Sequence, residues 1–121
     1  MKFNTLVPML YTNDIEGTIA FYTTHLGFVC GDKNEDWNWA AIHRDGVEFM
    51  LAKPNAQTPF EKSVFSGSFY IKVDDVDTLW HQLKETVSIC YPLEEFEWNM
   101  REFAIYDDNG YVLQFGQDLL V

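Results

Sequence analysis

The sequence predicts an α+β domain in which two βαβββ repeats form a curved mixed sheet around a cleft, with the helices outside. Three observations carry this. Residues 103–117, FAIYDDNGYVLQFGQ, place strand formers on either side of the cluster Asp107-Asp108-Asn109-Gly110. That is a hairpin signal, because Asn-Gly accommodates the positive φ of a tight turn. Residues 40–52, AAIHRDGVEFMLA, repeat the pattern around Asp45-Gly46, so the turn glycines Gly46 and Gly110 stand 64 residues apart. A strand-to-helix junction also occurs twice, LYTNDI at 10–15 and IKVDDV at 71–76, with Asp14 and Asp75 separated by 61 residues. Two independent pairs at nearly one offset mean that the chain is written twice.

Residues 3–12 read as the first strand, with Pro8 at an edge or bulge position. Asn13 or Asp14 caps a helix with Glu16 in its first turn, and Gly27 takes the usual C-terminal glycine position. Ile15, Ile19, Tyr22 and Leu26 fall on one helical face. Residues 28–30 begin the next strand, residues 33–36 turn, and residues 37–43 lead into the first hairpin. The two modules run over about residues 1–53 and 67–121 of a single domain, joined by an irregular linker at 54–66 that holds Pro54 and Pro59.

In the second module, residues 68–73 form the matching strand and Asp74 or Asp75 caps a helix whose face is Val76, Leu79, Trp80 and Leu83. Residues 87–91 are the strand after it, residues 92–100 an acidic, aromatic loop, and the last hairpin starts near Arg101. Alternation puts Phe69, Ile71 and Val73 under the helix, and Ser68, Tyr70 and Lys72 on the opposite face. By the repeat, Pro8, Leu10 and Thr12 belong to the core side, and Val7, Met9 and Tyr11 to the other. Glu48 shares a face with Met50, and Val112 with Gln114.

Composition bounds the function. With 121 residues the chain is one domain, large enough for one core. Nineteen acidic against eight basic residues give a net charge of −11, which argues against nucleic acid and anionic membrane surfaces as partners. The same charge permits a cationic ligand, or simply keeps the protein soluble. There is no apolar run of membrane-spanning length and no signal-peptide pattern at the start. Cys30 and Cys90 make no disulfide framework, so the expected compartment is the cytoplasm and the expected state is two buried thiols, at similar places in the two halves.

Several motifs together resemble the vicinal oxygen chelate superfamily, which includes glyoxalases, bleomycin-resistance proteins and dioxygenases. They are Pro8-Met-Leu-Tyr-Thr-Asn-Asp14, Phe21-Tyr22 with Leu26-Gly27-Phe28, Val73-Asp-Asp75-Val76, and Trp98-Asn-Met-Arg101-Glu-Phe103 through Asp107, Gly110 and Phe115-Gly116-Gln117. The resemblance implies a glyoxalase-like fold, usually dimeric, with metal ligands on inner strand faces. It transfers those ligand positions to Val7, Met50, Ser68 and Gln114, of which only Gln114 carries a suitable donor for a hard divalent ion. The usual metal site is therefore expected to be absent, and no cofactor is expected. Asp108 stands where the family usually has proline.

No other chemistry stands out: there is no phosphate-cradling glycine loop or nucleophile elbow, and His25, His43 and His81 lack ligand spacing. No catalytic residue is expected. The expected ligand-binding residues are Tyr11, Trp37, Trp39, Glu48, Met50, Phe60, Tyr70, Phe96, Trp98, Arg101 and Gln114, with Glu94, Glu95 and Glu97 beside them. Aromatic faces with carboxylates suit a planar, cationic or amphiphilic molecule, although tryptophans fill cores and interfaces equally well.

The first expectation is thus a metal-independent protein of the bleomycin-resistance type that sequesters a small organic molecule as a homodimer. Two alternatives stand: a metal-dependent lyase or isomerase with altered ligands such as Glu48 and Gln114, and a dimeric interaction module without a ligand.

Overall fold

Capped helices and tight hairpins set the architecture of this computed structural model, which describes residues 1–65 and 67–120. Ser66 of the expected linker and Val121 of the second module lie outside the described residues. The chain divides into two compact units, Met1–Lys62 and Ser63–Val121.

The first unit runs β1 (Met9–Tyr11), α1 (Ile15–Leu26), β2 (Val29–Asn34), β3 (Trp39–Arg44) and β4 (Val47–Ala52). Its sheet has the order β1-β4-β3-β2, with β1 parallel to β4 and the other pairs antiparallel. The Asp14 side chain accepts the Gly17 N–H at 2.9 Å, satisfying a donor that the first helical turn leaves open. Gly27 closes the helix in the left-handed region at φ 69°. Asp45 turns the hairpin at φ 50°.

The helix buries Ile15, Thr18, Tyr22 and Leu26. Thr18 rather than Ile19 completes that face, because its hydroxyl bonds that of buried Thr12 at 2.8 Å. Tyr22, Phe28 and Phe49 pack edge-to-face and stacked at ring separations of 5.3 to 6.1 Å. The first strand is shorter than expected. Residues 1–7 fall outside it, although the Pro8 carbonyl still accepts the Met50 N–H at 2.9 Å.

The second unit repeats the plan: β5 (Phe69–Lys72), α2 (Val76–Leu83), β6 (Ser88–Phe96), β7 (Met100–Tyr106) and β8 (Val112–Asp118). Its sheet order is β5-β8-β7-β6, with β5 parallel to β8. Asp75 caps α2 through the Thr78 N–H at 3.2 Å, and Trp80 packs on Phe103 at 5.1 Å. In the last turn, the Asp107 carboxylate accepts the N–H groups of Asn109 and Tyr111, each at 2.9 Å, and Gly110 takes φ 86°. Alternation in β5 is as expected, with Phe69, Ile71 and Val73 half-buried and Tyr70 and Lys72 exposed.

Residues 92–96 depart from the sequence expectation: they extend β6 instead of forming a loop. Pro92 is tolerated because register shifts on both sides of Tyr91 release the ladder where its missing N–H would be needed. The cysteines depart as well. Cys30 has a ladder partner in Ile42, whereas Cys90 sits at a register shift, and both free thiols are half-exposed on the outermost strands of their sheets. No helix among the described residues is long and apolar enough to cross a membrane.

Candidate functional site

Alternation along β7 turns Phe103 toward α2 and leaves Glu102 and Ala104 on the opposite face of the sheet. Glu102 is nonetheless only 2% exposed. Three neutral donors enclose its carboxylate. The Tyr70 hydroxyl donates to Oε1 at 2.8 Å, the Trp98 indole N–H to the same oxygen at 2.9 Å, and the Tyr91 hydroxyl to Oε2 at 2.5 Å. The network continues outward, because Gln114 Nε2 donates to the Tyr91 hydroxyl at 2.8 Å and the Ser68 hydroxyl donates to Gln114 Oε1.

Burial alone would push the Glu102 carboxyl up, but the hydrogen bonds from Tyr91, Trp98 and Tyr70 outweigh it and hold it below the ordinary carboxylate value. Burial, reinforced by the bond to Glu102, pushes the Tyr91 phenol up to about 12. It pushes Tyr70 up as well. At neutral pH the centre is a charged carboxylate held by neutral phenols. With its oxygens already accepting three protons' worth of hydrogen bonds, this carboxylate is poorly placed as a general acid or base. It is well placed to fix aromatic rings.

The rings form a wall. Phe96 and Trp98 stack at 4.7 Å and 12°, and Tyr91 meets the edge of Phe96 at 5.9 Å. Trp98 remains 56% exposed and Tyr70 40%. Glu94 is paired directly across the ladder from Glu102, and Phe96 from Met100. Among the described residues no lysine or arginine is ion-paired to either glutamate.

Four of the residues expected from the sequence, Tyr70, Phe96, Trp98 and Gln114, are therefore gathered here, together with Ser68. Arg101 is not. Its neighbour Glu102 takes one face, so Arg101 takes the other, where it bonds Asp77 of α2 at 2.7 and 3.1 Å. Glu95, its ladder partner, goes with it, at 3.9 Å from the guanidinium. The acidic trio of the sequence reading is thus split by strand parity.

The other expected residues lie in the first unit. Tyr11 packs edge-on against Phe60 at 6.2 Å, and its hydroxyl lies 3.2 Å from that of Thr58. Trp37 is exposed in the β2–β3 turn, and Glu48 is exposed opposite His43 near the end of the first hairpin. Met50 pairs with Met9 and Ala41. Trp39 borders an open depression of about 270 Å³ with Asp14, Lys33, Asn38 and Lys53.

Register shows why the two units differ. Tyr70 and Ala104 flank Gln114 in the second unit as Met9 and Ala41 flank Met50 in the first, and the pair Glu102–Gly116 corresponds to Trp39–Ala52. The carboxylate and the glycine thus belong to one repeat alone. Sequence reading missed Glu102 and Tyr91. Alternation from Phe103 carried the signal for Glu102, a charged residue on the same face as Gln114.

The donor chemistry does not fit the metal that the fold family employs. Val7 has no donor atom, Met50 offers a thioether, and the Ser68 hydroxyl and Gln114 carbonyl oxygen are bonded to each other. Among the described residues no three His, Cys, Asp or Glu side chains are grouped to hold a cation.

The sequence model of the Glyoxalase/Bleomycin resistance protein/Dioxygenase superfamily matches residues 2–115. A comparison with curated proteins gives no match. Among solved structures, a bleomycin resistance determinant encoded on transposon Tn5 is similar at TM-score 0.78 and 20% identity, covering 96% of this chain and 98% of that one. A bleomycin-binding protein complexed with bleomycin is similar at TM-score 0.72 and 22% identity, covering 96% and 99%. A lactoylglutathione lyase from Agrobacterium tumefaciens is similar at TM-score 0.75 and 19% identity, covering 97% and 95%. At these identities the likeness is one of fold.

Proposed function

The chain belongs to the Glyoxalase/Bleomycin resistance protein/Dioxygenase superfamily, and we propose that within it the protein is a metal-independent binder that sequesters a small organic molecule, cationic or aromatic. The observation that carries this reading is the enclosure of Glu102 by Tyr70, Tyr91 and Trp98. A charged group whose partners are all aromatic donors serves to hold rings in place before a ligand arrives, which lowers the ordering cost of binding. Tyr70, Phe96, Trp98 and Gln114 form the contact surface of this reading. Tyr11, Trp37, Trp39, Glu48, Met50 and Phe60 remain proposed contributors from the first unit. Arg101 is withdrawn from the ligand set, since it is held by Asp77.

Bleomycin-type glycopeptides are one class of ligand to try, since two structurally similar proteins carry that name. Calorimetry with such a glycopeptide and with simple aromatic amines should give a heat of binding, accompanied by quenched tryptophan fluorescence. No heat with any of them sinks the reading. The lyase or isomerase alternative has its own test: stoichiometric divalent metal in freshly purified protein, lost in Glu48→Ala, would overturn metal independence.

Two further parts of the proposal concern setting. A cytoplasmic location is supported by two free cysteines. A homodimer is supported by apolar side chains left in water, such as Val29 on an outermost strand at 56% exposure. Sedimentation at micromolar concentration giving a mass near 14.1 kDa would count against the dimer.

A further inference from the structure

We infer that Glu102 and its cross-strand partner Glu94 make the aromatic face of the second unit selective for ligands that carry a positive charge. The inference rests on the binding reading above and adds what the site discriminates. Like charges placed directly opposite each other in an antiparallel ladder repel, and β6 and β7 hold these two glutamates in that register. A buried carboxylate ordinarily has a cationic partner. Glu102 has only phenol and indole donors, which stabilise its charge without cancelling it. The nearest arginine in sequence, Arg101, is turned to the other face and used by Asp77.

The net negative charge therefore stays on this face, behind Tyr70 and Trp98, whose rings are open to solvent. Ring faces themselves attract cations, so the wall and the charge behind it act in the same direction. A planar ligand bearing a quaternary or protonated nitrogen gains both stacking and charge neutralisation, whereas its neutral analogue gains stacking alone.

The source of the selectivity also sets how it responds to salt. Exposed charges, including the overall −11 of the chain, are screened as ionic strength rises, while a buried carboxylate is screened much less.

The test compares the cationic dye thioflavin T with the uncharged benzothiazole that lacks its N-methyl group, titrated into the intact protein and followed by tryptophan fluorescence and calorimetry. The expected result is preference for the cation by about tenfold or more in dilute buffer. Much of that ratio should survive about 1 M salt, where the screening length is about 3 Å. Glu102→Gln should bring the ratio toward one, and Glu94→Gln should lower it part of the way. Loss of affinity for both dyes with an unchanged ratio would assign Glu102 a purely structural role and overturn the inference. Equal binding of both dyes by the wild type would overturn it while leaving the binding reading intact. Binding of neither overturns both. Should Glu102→Gln fail to fold, the salt series on the wild type and the exposed Glu94→Gln variant decide, and a ratio that collapses with salt and ignores Glu94 overturns the inference.

Discussion

Tyr70 lies across Gly116. A Cβ at position 116 would stand 2.7 Å from the Tyr70 Cζ and closer still to its hydroxyl. The bare backbone of β8 is what lets the ring pass over the strand to reach Glu102 at 2.8 Å. The neighbours of Gly116 have separate tasks. Phe115 packs on Phe103 at 5.3 Å in the core, and Gln117 Oε1 accepts the Val76 N–H at 3.0 Å in the first turn of α2. The short run Phe115-Gly116-Gln117 thus ties core, aromatic face and helix together.

Gly116→Ala should therefore displace Tyr70 without straining the backbone, since Gly116 is not among the positive-φ glycines. The hydrogen bond to a charged acceptor is lost, at a cost of about 1–3 kcal/mol in stability. Combined with Tyr70→Ala the clash disappears, so the double variant should melt higher than the sum of the single effects predicts. Strict additivity in the four melting temperatures would show that Gly116 serves some other purpose.

Acid should reveal Glu102. Its carboxyl is held below the ordinary value of 4.5 in the folded state. A depressed carboxyl contributes stability above its unfolded value, and that contribution fades as pH falls through the folded one. The stability gap between wild type and Glu102→Gln should be full at pH 6 to 7 and shrink below about 4.5. Tyr91 supplies the alkaline limb. Its phenol is raised from 10.0 to about 12, so stability is full below 10 and falls as pH rises through that interval. Tyr91→Phe should remove its share of this limb and leave the share of Tyr70, whose phenol is also raised by burial and by the bond to Glu102. Denaturant titrations across pH, with phenolate absorbance followed in parallel, test both limbs. A gap that stays constant on acidification would mean that folding leaves the Glu102 carboxyl unshifted, and one that changes in favour of the wild type would mean that it is neutral in the fold.

Much of this was readable from the sequence, because local chemistry wrote it. Asp14, Asp75 and Gly27 mark helix ends through bonds to residues within a few positions, and Asp45-Gly46 and Asn109-Gly110 mark turns in the same way. Alternation in β5 separated Tyr70 from Phe69 and Ile71 correctly. What escaped depends on pairing between distant strands. Pro92 reads locally as a break, and only the shifted register of β6 against β7 keeps the strand going. Glu102 reads locally as one more acidic residue in a very acidic chain. Its meaning comes from Tyr70, 32 residues earlier, and from Tyr91 across the ladder. Arg101 is the reverse case, since its proximity to Trp98 in sequence conceals a side chain directed to Asp77 on the other face.

Arg101 should accordingly matter to the fold and not to the ligand. Its bond to Asp77 links β7 to the first turn of α2, and the guanidinium beside Asp77 holds that carboxyl below the usual range. Both partners keep solvent access, so Arg101→Ala should cost only about 0.2–1 kcal/mol in stability. Affinity for any ligand found should stay within twofold or so of wild type, as about 0.4 kcal/mol is the limit set by that factor. A tenfold loss in affinity, measured by calorimetry, would return Arg101 to the binding face.

Trp98 carries the sharpest distinction between scaffold and site. It is exposed, stacked on Phe96, and bonded through its indole N–H to Glu102. Trp98→Phe preserves a ring against Phe96 and removes only the donor, whereas Trp98→Ala removes both. If the indole anchors a ligand, Trp98→Ala should weaken binding by about 1–3 kcal/mol, the span from ordinary contacts to hot spots. Trp98→Phe should retain stacking and lose less. Its remaining deficit should come from a ring no longer fixed by the carboxylate, and so should appear chiefly as faster dissociation. Both variants lose the indole bond to the buried Glu102 carboxylate and should be less stable by about 1–3 kcal/mol, so affinity, not melting alone, separates the two readings. If Trp98 is scaffold instead, both variants should melt early and bind as well as wild type below the melt. Melting curves and ligand titrations on the same two proteins separate these outcomes, and early melting with intact affinity would remove Trp98 from the site.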